Sequence, residues 1–246
     1  MKYFCIQIAL LCLLAASCKH TDTTGAKSEI ESEDSLMISN DLEVETKAKW
    51  ETEDFLMNSD AFEKDLSEKA KKGDTGAMMD LGMMFIQPKL SAHFKQDEES
   101  GIYLLTQSAN KGNAEAQWNL ARIYFGSYFN GTLGSGQYKD MEKTHKWLEL
   151  SAENGFPGAE LGLAESYSFG KHGYPQDYAK SLKWYKRFAV RGTTKIHAGA
   201  QYNVGWQYLY GKGVEEDIAE AMRWLGKSAA NGNDDAMKLL RQYGFY

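Results

Sequence analysis

AQYNVGWQYLYGKGVEEDIAEAMRWLGKSAANG, residues 200–232, decides the fold. A small residue, Ala200, opens it. An apolar-small pair, Val204-Gly205, follows, then the aromatic Tyr208 and the turn Gly211-Lys212-Gly213-Val214. Asp217 comes next, Trp224 stands seven residues after it, and Ala229 and Gly232 close the block. Working outward, the same columns return about every 40 residues, a period that means stacked supersecondary units. The opening residue is Ala77, Ala116, Ala159 and Ala200. The pair is Leu81-Gly82, Leu120-Ala121, Leu163-Ala164 and Val204-Gly205, and the aromatic is Phe85, Tyr124, Tyr167 and Tyr208. The aspartate is Asp97, Asp140, Asp177 and Asp217, followed by Leu104, Trp147, Trp184 and Trp224. The closing pairs are Ala109/Gly112, Ala152/Gly155, Ala189/Gly192 and Ala229/Gly232.

The first half of each copy sets its constant residues at i, i+4, i+5 and i+8, which is one face of an α-helix. Gly or Ala in the pair removes bulk where a neighbouring helix must come close. The aspartate starts the second half, because its carboxylate accepts N–H groups that a first helical turn leaves unpaired. The tryptophan two turns on fills the gap between helices. The closing glycine supplies a left-handed C-terminal stop. Each copy therefore predicts a first helix, a loop, a second helix and a tight turn. Residues 60–73 predict a lone second helix, with Asp60 as N-cap and Glu63 at the capping-box position. Residues 235–243 predict a lone first helix, whose Arg241 replaces the small residue as a terminal cap requires.

These columns resemble the Sel-one-like repeat, a relative of the tetratricopeptide repeat, over about residues 60–243. Copy four carries the pattern most fully; copy one departs from it, with Leu104 for Trp and Pro88 inside the loop. The resemblance implies an all-α, right-handed α/α solenoid superhelix of helix-turn-helix repeats that mediates protein–protein contacts.

The chain divides into a leader at 1–17, an acidic tether at 18–55 and the repeat domain at 56–246, which holds about four repeats plus terminal capping helices. The apolar run from Phe4 to Ala16 is too short to span a bilayer permanently. It ends in Leu14-Ala15-Ala16-Ser17-Cys18, which resembles the bacterial lipoprotein signal; that resemblance implies cleavage before Cys18 and a lipid on its thiol. The other reading is ordinary secretion. Cys5 and Cys12 leave with the leader, so the mature chain holds no disulfide. From Asp22 to Asp54 the chain carries 11 acidic and 3 basic residues, a composition unable to bury enough apolar surface to order itself. The alternative is a partial helix around Leu42 to Leu56, docked on the repeats. The tether accounts for the net charge of −6, and the repeats are close to neutral. No basic stripe suggests nucleic acid.

None of His20, His93, His145, His172 and His197 has a second ligand at zinc spacing, so neither metal nor cofactor is expected. Nucleophile elbow, phosphate-binding loop and reactive cysteine are all missing, and the chain reads as no enzyme. The stretch 126–137 is an enlarged loop: Tyr124 to Asp140 is 16 residues, against 9 from Tyr208 to Asp217. Its Tyr128, Phe129 and Leu133 either fold back on the repeats or touch a partner.

The candidate partner-binding residues lie on the first helices, expected to line the concave side. Six residues after the opening Ala stand Met83, Arg122, Glu165 and Trp206; two after it stand Met79, Trp118, Leu161 and Tyr202. The first set changes chemistry from copy to copy, as a surface fitted to one irregular partner would. Alternatively Trp118 and Tyr202 pack between repeats, and Arg122 and Glu165 form a solvated face. The expected function is a monomeric, non-enzymatic adaptor in a bacterial cell envelope, anchored at Cys18 and favouring the outer membrane. Its partners would be envelope proteins or, if it works as an immunity lipoprotein as some family members are thought to, a secreted toxin such as a lipase. β-Lactam binding or hydrolysis, linked to disulfide-stapled family members, is a third reading; this chain lacks their cysteines.

Overall fold

A computed structural model describes residues 61–87, 97–126 and 138–245. The leader, Cys18, the tether, Asp60 and all but the first residue of the 126–137 loop lie outside them.

Ten helices and no strand are present among the described residues. They are α1 (Ala61–Lys71), α2 (Thr75–Ile86), α3 (Glu98–Asn110), α4 (Ala114–Phe125), α5 (Met141–Glu153), α6 (Pro157–Phe169), α7 (Tyr178–Ala189), α8 (Lys195–Leu209), α9 (Ile218–Ala230) and α10 (Asp234–Gln242). Each helix makes its main contacts with the helices before and after it in the chain, which is the contact pattern of an α-solenoid. α2, α4, α6 and α8 are the first helices of four repeats; α3, α5, α7 and α9 are the second. α1 and α10 are the lone flanking helices.

The aspartates cap as their position predicts. Asp97, Asp140, Asp177 and Asp217 accept the backbone N–H three residues on, at 2.9–3.1 Å. The backbone N–H of each of the four also donates to the carbonyl of the aromatic residue ending the preceding helix: Phe85, Tyr124, Tyr167 and Tyr208, at 2.8–3.1 Å. That clamp closes every repeat whatever the length of its loop, so the long insertion after Tyr124 leaves and returns at the same two points.

The opening alanines, the apolar-small pairs, Leu104 and the three tryptophans are buried. A continuous core cluster runs from Ile86 to Trp224, with further clusters at both ends. The small residues mark backbone contact. A Cβ on Gly82 would stand 2.9 Å from the Gly101 carbonyl oxygen, and one on Gly205 would stand 2.7 Å from Leu225 Cγ. In the fourth repeat Gly213 has φ +72°, and a Cβ there would strike the backbone of Tyr178 and Ala179. The Gly-x-Gly-Val turn thus rests directly on the first turn of α7.

Polar side chains tie the repeats together in register. Ser108, Ser151 and Ser228 donate to the carbonyls of Thr75, Ala114 and Ala198, each at 2.6 Å. Gln117 donates to the Ala109 carbonyl behind it and accepts from Asn154 ahead; Gln201 does the same between Ala189 and Asn231. All four bonds measure 2.9–3.0 Å. The third repeat replaces this set together. Glu160 stands where Gln stood, fully buried, and Arg191 stands where Asn stood, pairing with it in bidentate fashion at 2.6 and 2.7 Å. Arg187 adds a contact of 2.6 Å. Phe188 takes the serine position and stacks on His197 at 4.7 Å.

One expectation needs correcting here. Gly73, Gly112, Gly155 and Gly232 are left-handed as expected, but Gly192 is not. The link from Ala189 to Ala200 is longer than its counterparts, and α8 absorbs the excess as an extra first turn beginning at Lys195. The tight turn is therefore not used there. The aromatic column is mixed in burial: Phe85 and Tyr167 are buried, Tyr124 and Tyr208 are half-exposed, and a lysine lies over each of the three tyrosines.

Candidate interaction face on the first helices

The periodicity that buries i, i+4 and i+5 of each first helix leaves i+2 and i+6 outside the fully buried stripe. All eight side chains at these positions are half-buried. The i+2 column is mostly inter-repeat packing. Asn119 of α4 donates to the Met79 sulfur of α2 at 3.9 Å. Trp118 lies against α6: its ring meets Phe156 at 5.6 Å, and a Cβ on Gly162 would sit 3.7 Å from its edge. Tyr202 packs against the C-terminal core cluster, and burial, with Asp235 nearby, raises its phenol above the ordinary range.

The i+6 column is chemically diverse. Met83 packs on the central core cluster. The guanidinium of Arg122 stands over Trp118, 5.9 Å from the ring centre. Trp206 is grouped with Tyr210, at 5.2 Å, and Tyr178, at 6.3 Å. Glu165 makes no hydrogen bond or ion pair with any described residue. Burial raises its carboxyl above the ordinary glutamate range, and the charge of Lys171 offsets this only in part. The geometry therefore brings Trp118 and Arg122 together and sets Trp206 in an aromatic group, while Glu165 makes no ion pair with a described residue.

A serine–histidine contact does exist: Ser166 Oγ lies 3.1 Å from His172 Nδ1, and His145 Nε2 donates to the His172 carbonyl at 2.7 Å. Ser166 is 1% exposed, so no substrate reaches its hydroxyl. His172, at φ +57° and packed on Phe125, helps to seat the α6–α7 loop. Among the described residues no group of three or more metal-ligating side chains is gathered.

The sequence reading missed the Ser, Gln and Asn columns that join the repeats. They were legible, since Gln117 and Gln201 share one offset from the opening Ala, and Asn154 and Asn231 share one before the closing Gly. It also missed Tyr178 and Tyr210 beside Trp206; Tyr178 has no aromatic counterpart in the other copies, and Tyr210 has one only in Phe169.

Comparison with known proteins agrees with this architecture. The Sel1 repeat family model matches residues 75–113, 114–156, 157–192 and 198–233. Chitin synthase regulatory factor 3 of Schizosaccharomyces pombe is 31% identical over 167 residues, which is 68% of this chain and 17% of that protein. The exopolysaccharide production negative regulator of Rhizobium meliloti is 25% identical over 60% of this chain and 56% of its own length. The chain thus spans a minor part of the fungal relative and little more than half of the rhizobial one. The crystal structure of a Sel1 repeat protein from Oxalobacter formigenes matches with a TM-score of 0.59 and 29% identity, covering 72% of this chain and 48% of that one.

Proposed function

Because this chain belongs to the Sel1 repeat family, whose repeats generally mediate protein–protein contacts, we propose that it is a non-enzymatic adaptor holding a partner protein on its first-helix face. One observation carries the reading. On a backbone whose caps, clamps and core columns repeat, the half-exposed i+6 position passes from Met83 through Arg122 and Glu165 to Trp206. A purely structural solenoid has no need of such variety at one register. The relatives described as a regulatory factor and a negative regulator support the same direction.

In this reading Cys18 carries a lipid, and the acidic segment that follows holds the repeats away from an envelope membrane, the outer one being favoured. A photo-crosslinking amino acid placed at Trp206 should trap a discrete partner in cells of the source organism. The same group at Lys183, on a second helix, should not. Equal crosslinking from both positions would refute the face assignment. Cys18→Ala should release the protein from the membrane fraction; a variant that still sediments with membranes would refute the lipid anchor. A toxin as the trapped protein would identify the adaptor as an immunity protein.

A further inference from the structure

The geometry points to an arginine side chain of the partner protein as the group that Glu165 receives, an inference that rests on the adaptor reading above. Three observations converge on it. First, the carboxylate at Glu165 is half-buried and has no hydrogen-bond or ion-pair partner among the described residues. Lys171 influences it, but from outside ion-pair distance, and stands over Phe169 instead, 5.0 Å from the ring centre. The buried carboxylate five residues earlier on the same helix is answered: Glu160 is gripped by two arginines, at 2.6–2.7 Å. An unanswered charge in a partly desolvated place is costly, and a ligand that brings the opposite charge recovers that cost on binding.

Second, the helix around Glu165 is low in bulk. Gly158, Leu161, Gly162 and Glu165 lie along one face of α6, at the spacing that keeps residues on one side of a helix. Trp118 of the preceding repeat lies along the two glycines. One repeat further on, the register position of Glu165 is held by Trp206, with Tyr178 and Tyr210 beside it. The carboxylate therefore sits on a helix flanked by repeats that each present a tryptophan.

Third, aromatic faces and a carboxylate together select a cation, and a planar one most of all. A guanidinium stacks on a tryptophan face while donating two parallel hydrogen bonds to a carboxylate, whereas an ammonium is a compact, strongly hydrated point charge. The chain itself shows both halves of that chemistry, in Arg122 over Trp118 and in Arg191 on Glu160.

The test is panning of a random peptide library on the full chain, repeated with Glu165→Gln and with Trp206→Ala. The expected result is a set of peptides sharing one arginine, with binding weakened about tenfold or more by Glu165→Gln, as for loss of one charge-assisted pair. Replacing that arginine by citrulline in a synthetic peptide should weaken binding to the unaltered protein by a similar factor. This second measurement keeps the test decisive if a protein variant folds poorly. Enriched peptides that Trp206→Ala weakens but that lack a shared arginine, or that accept lysine equally, would overturn the arginine assignment and leave the adaptor reading standing. Failure to enrich any peptide sensitive to Trp206→Ala would overturn both.

Discussion

Replacing Gly205 by Ala tests the close approach of first and second helices on which the whole stack depends. In a helix interior, Ala is favoured over Gly by about 1 kcal/mol, so propensity alone predicts a gain. The space is not there to accept it. The new methyl would stand 2.7 Å from Leu225 Cγ and 3.1 Å from the Ala221 carbonyl oxygen. Leu225 is completely buried, and the carbonyl belongs to the α9 backbone, so neither yields by a simple rotamer change. Overpacking of this kind costs about 1–3 kcal/mol. With two unyielding neighbours the upper part of that range applies, leaving a net loss of about 2 kcal/mol after the propensity gain. Gly226, on α9 itself, is the matched control, since a Cβ there meets nothing within 4 Å. Gly226→Ala should therefore stabilise by about 0.5–1 kcal/mol. Urea denaturation followed by far-ultraviolet circular dichroism measures both. Equal stability of the two variants would refute the claim that the small residue in each pair exists to let the helices touch.

Other consequences are as direct. Trp184→Ala should cost about 3–5 kcal/mol, as other large core truncations do, because the ring is buried between α7 and its neighbours; an unchanged melting curve would place the tryptophan column on the surface. Gln201→Leu should cost about 1–3 kcal/mol by leaving the Ala189 carbonyl and the Asn231 amide without their partner. In a double-mutant cycle with Asn231→Ala the two losses should be coupled, and strict additivity would deny the link between repeats. For Glu165, burial holds the folded-state pKa above the unfolded value. The folded protein then binds more protons across that window, so stability falls as pH rises from the usual glutamate range through the raised value. Glu165→Gln should abolish this slope and exceed the unaltered protein in stability at neutral pH, with no advantage at pH values below the glutamate range. Parallel pH profiles would show that the carboxyl is not desolvated.

The period, the two helices per repeat and the core columns were legible because each depends on local chemistry repeated four times. Asp217 caps because aspartate does so before an apolar helix, and Gly205 is small because Leu225 leaves no room. The rest depends on context that a column does not carry. Gly192 occupies a closing-glycine position, yet the longer link to Ala200 removes the turn that would have needed its left-handed conformation. Tyr124 and Tyr208 share a column with Phe85 and Tyr167 yet stay half-exposed where those two are buried. On the candidate face, the residues vary in sequence from copy to copy, but which of them pack and which stand open was set by neighbours one repeat away. Trp118 lies down because Gly158 and Gly162 allow it. Glu165 makes no ion pair because Lys171, whose charge acts on it, stands over Phe169 instead.

The most direct test of the account is a paired affinity capture. The full chain and its Arg122→Ala/Trp206→Ala variant are immobilised and exposed to envelope and secreted proteins of the source organism, and the bound proteins are identified by mass spectrometry. The prediction is at least one protein held by the unaltered chain and lost from the variant, with helicity and melting temperature equal in the two. Capture of the same proteins by both would contradict the assignment of the partner to the first-helix face.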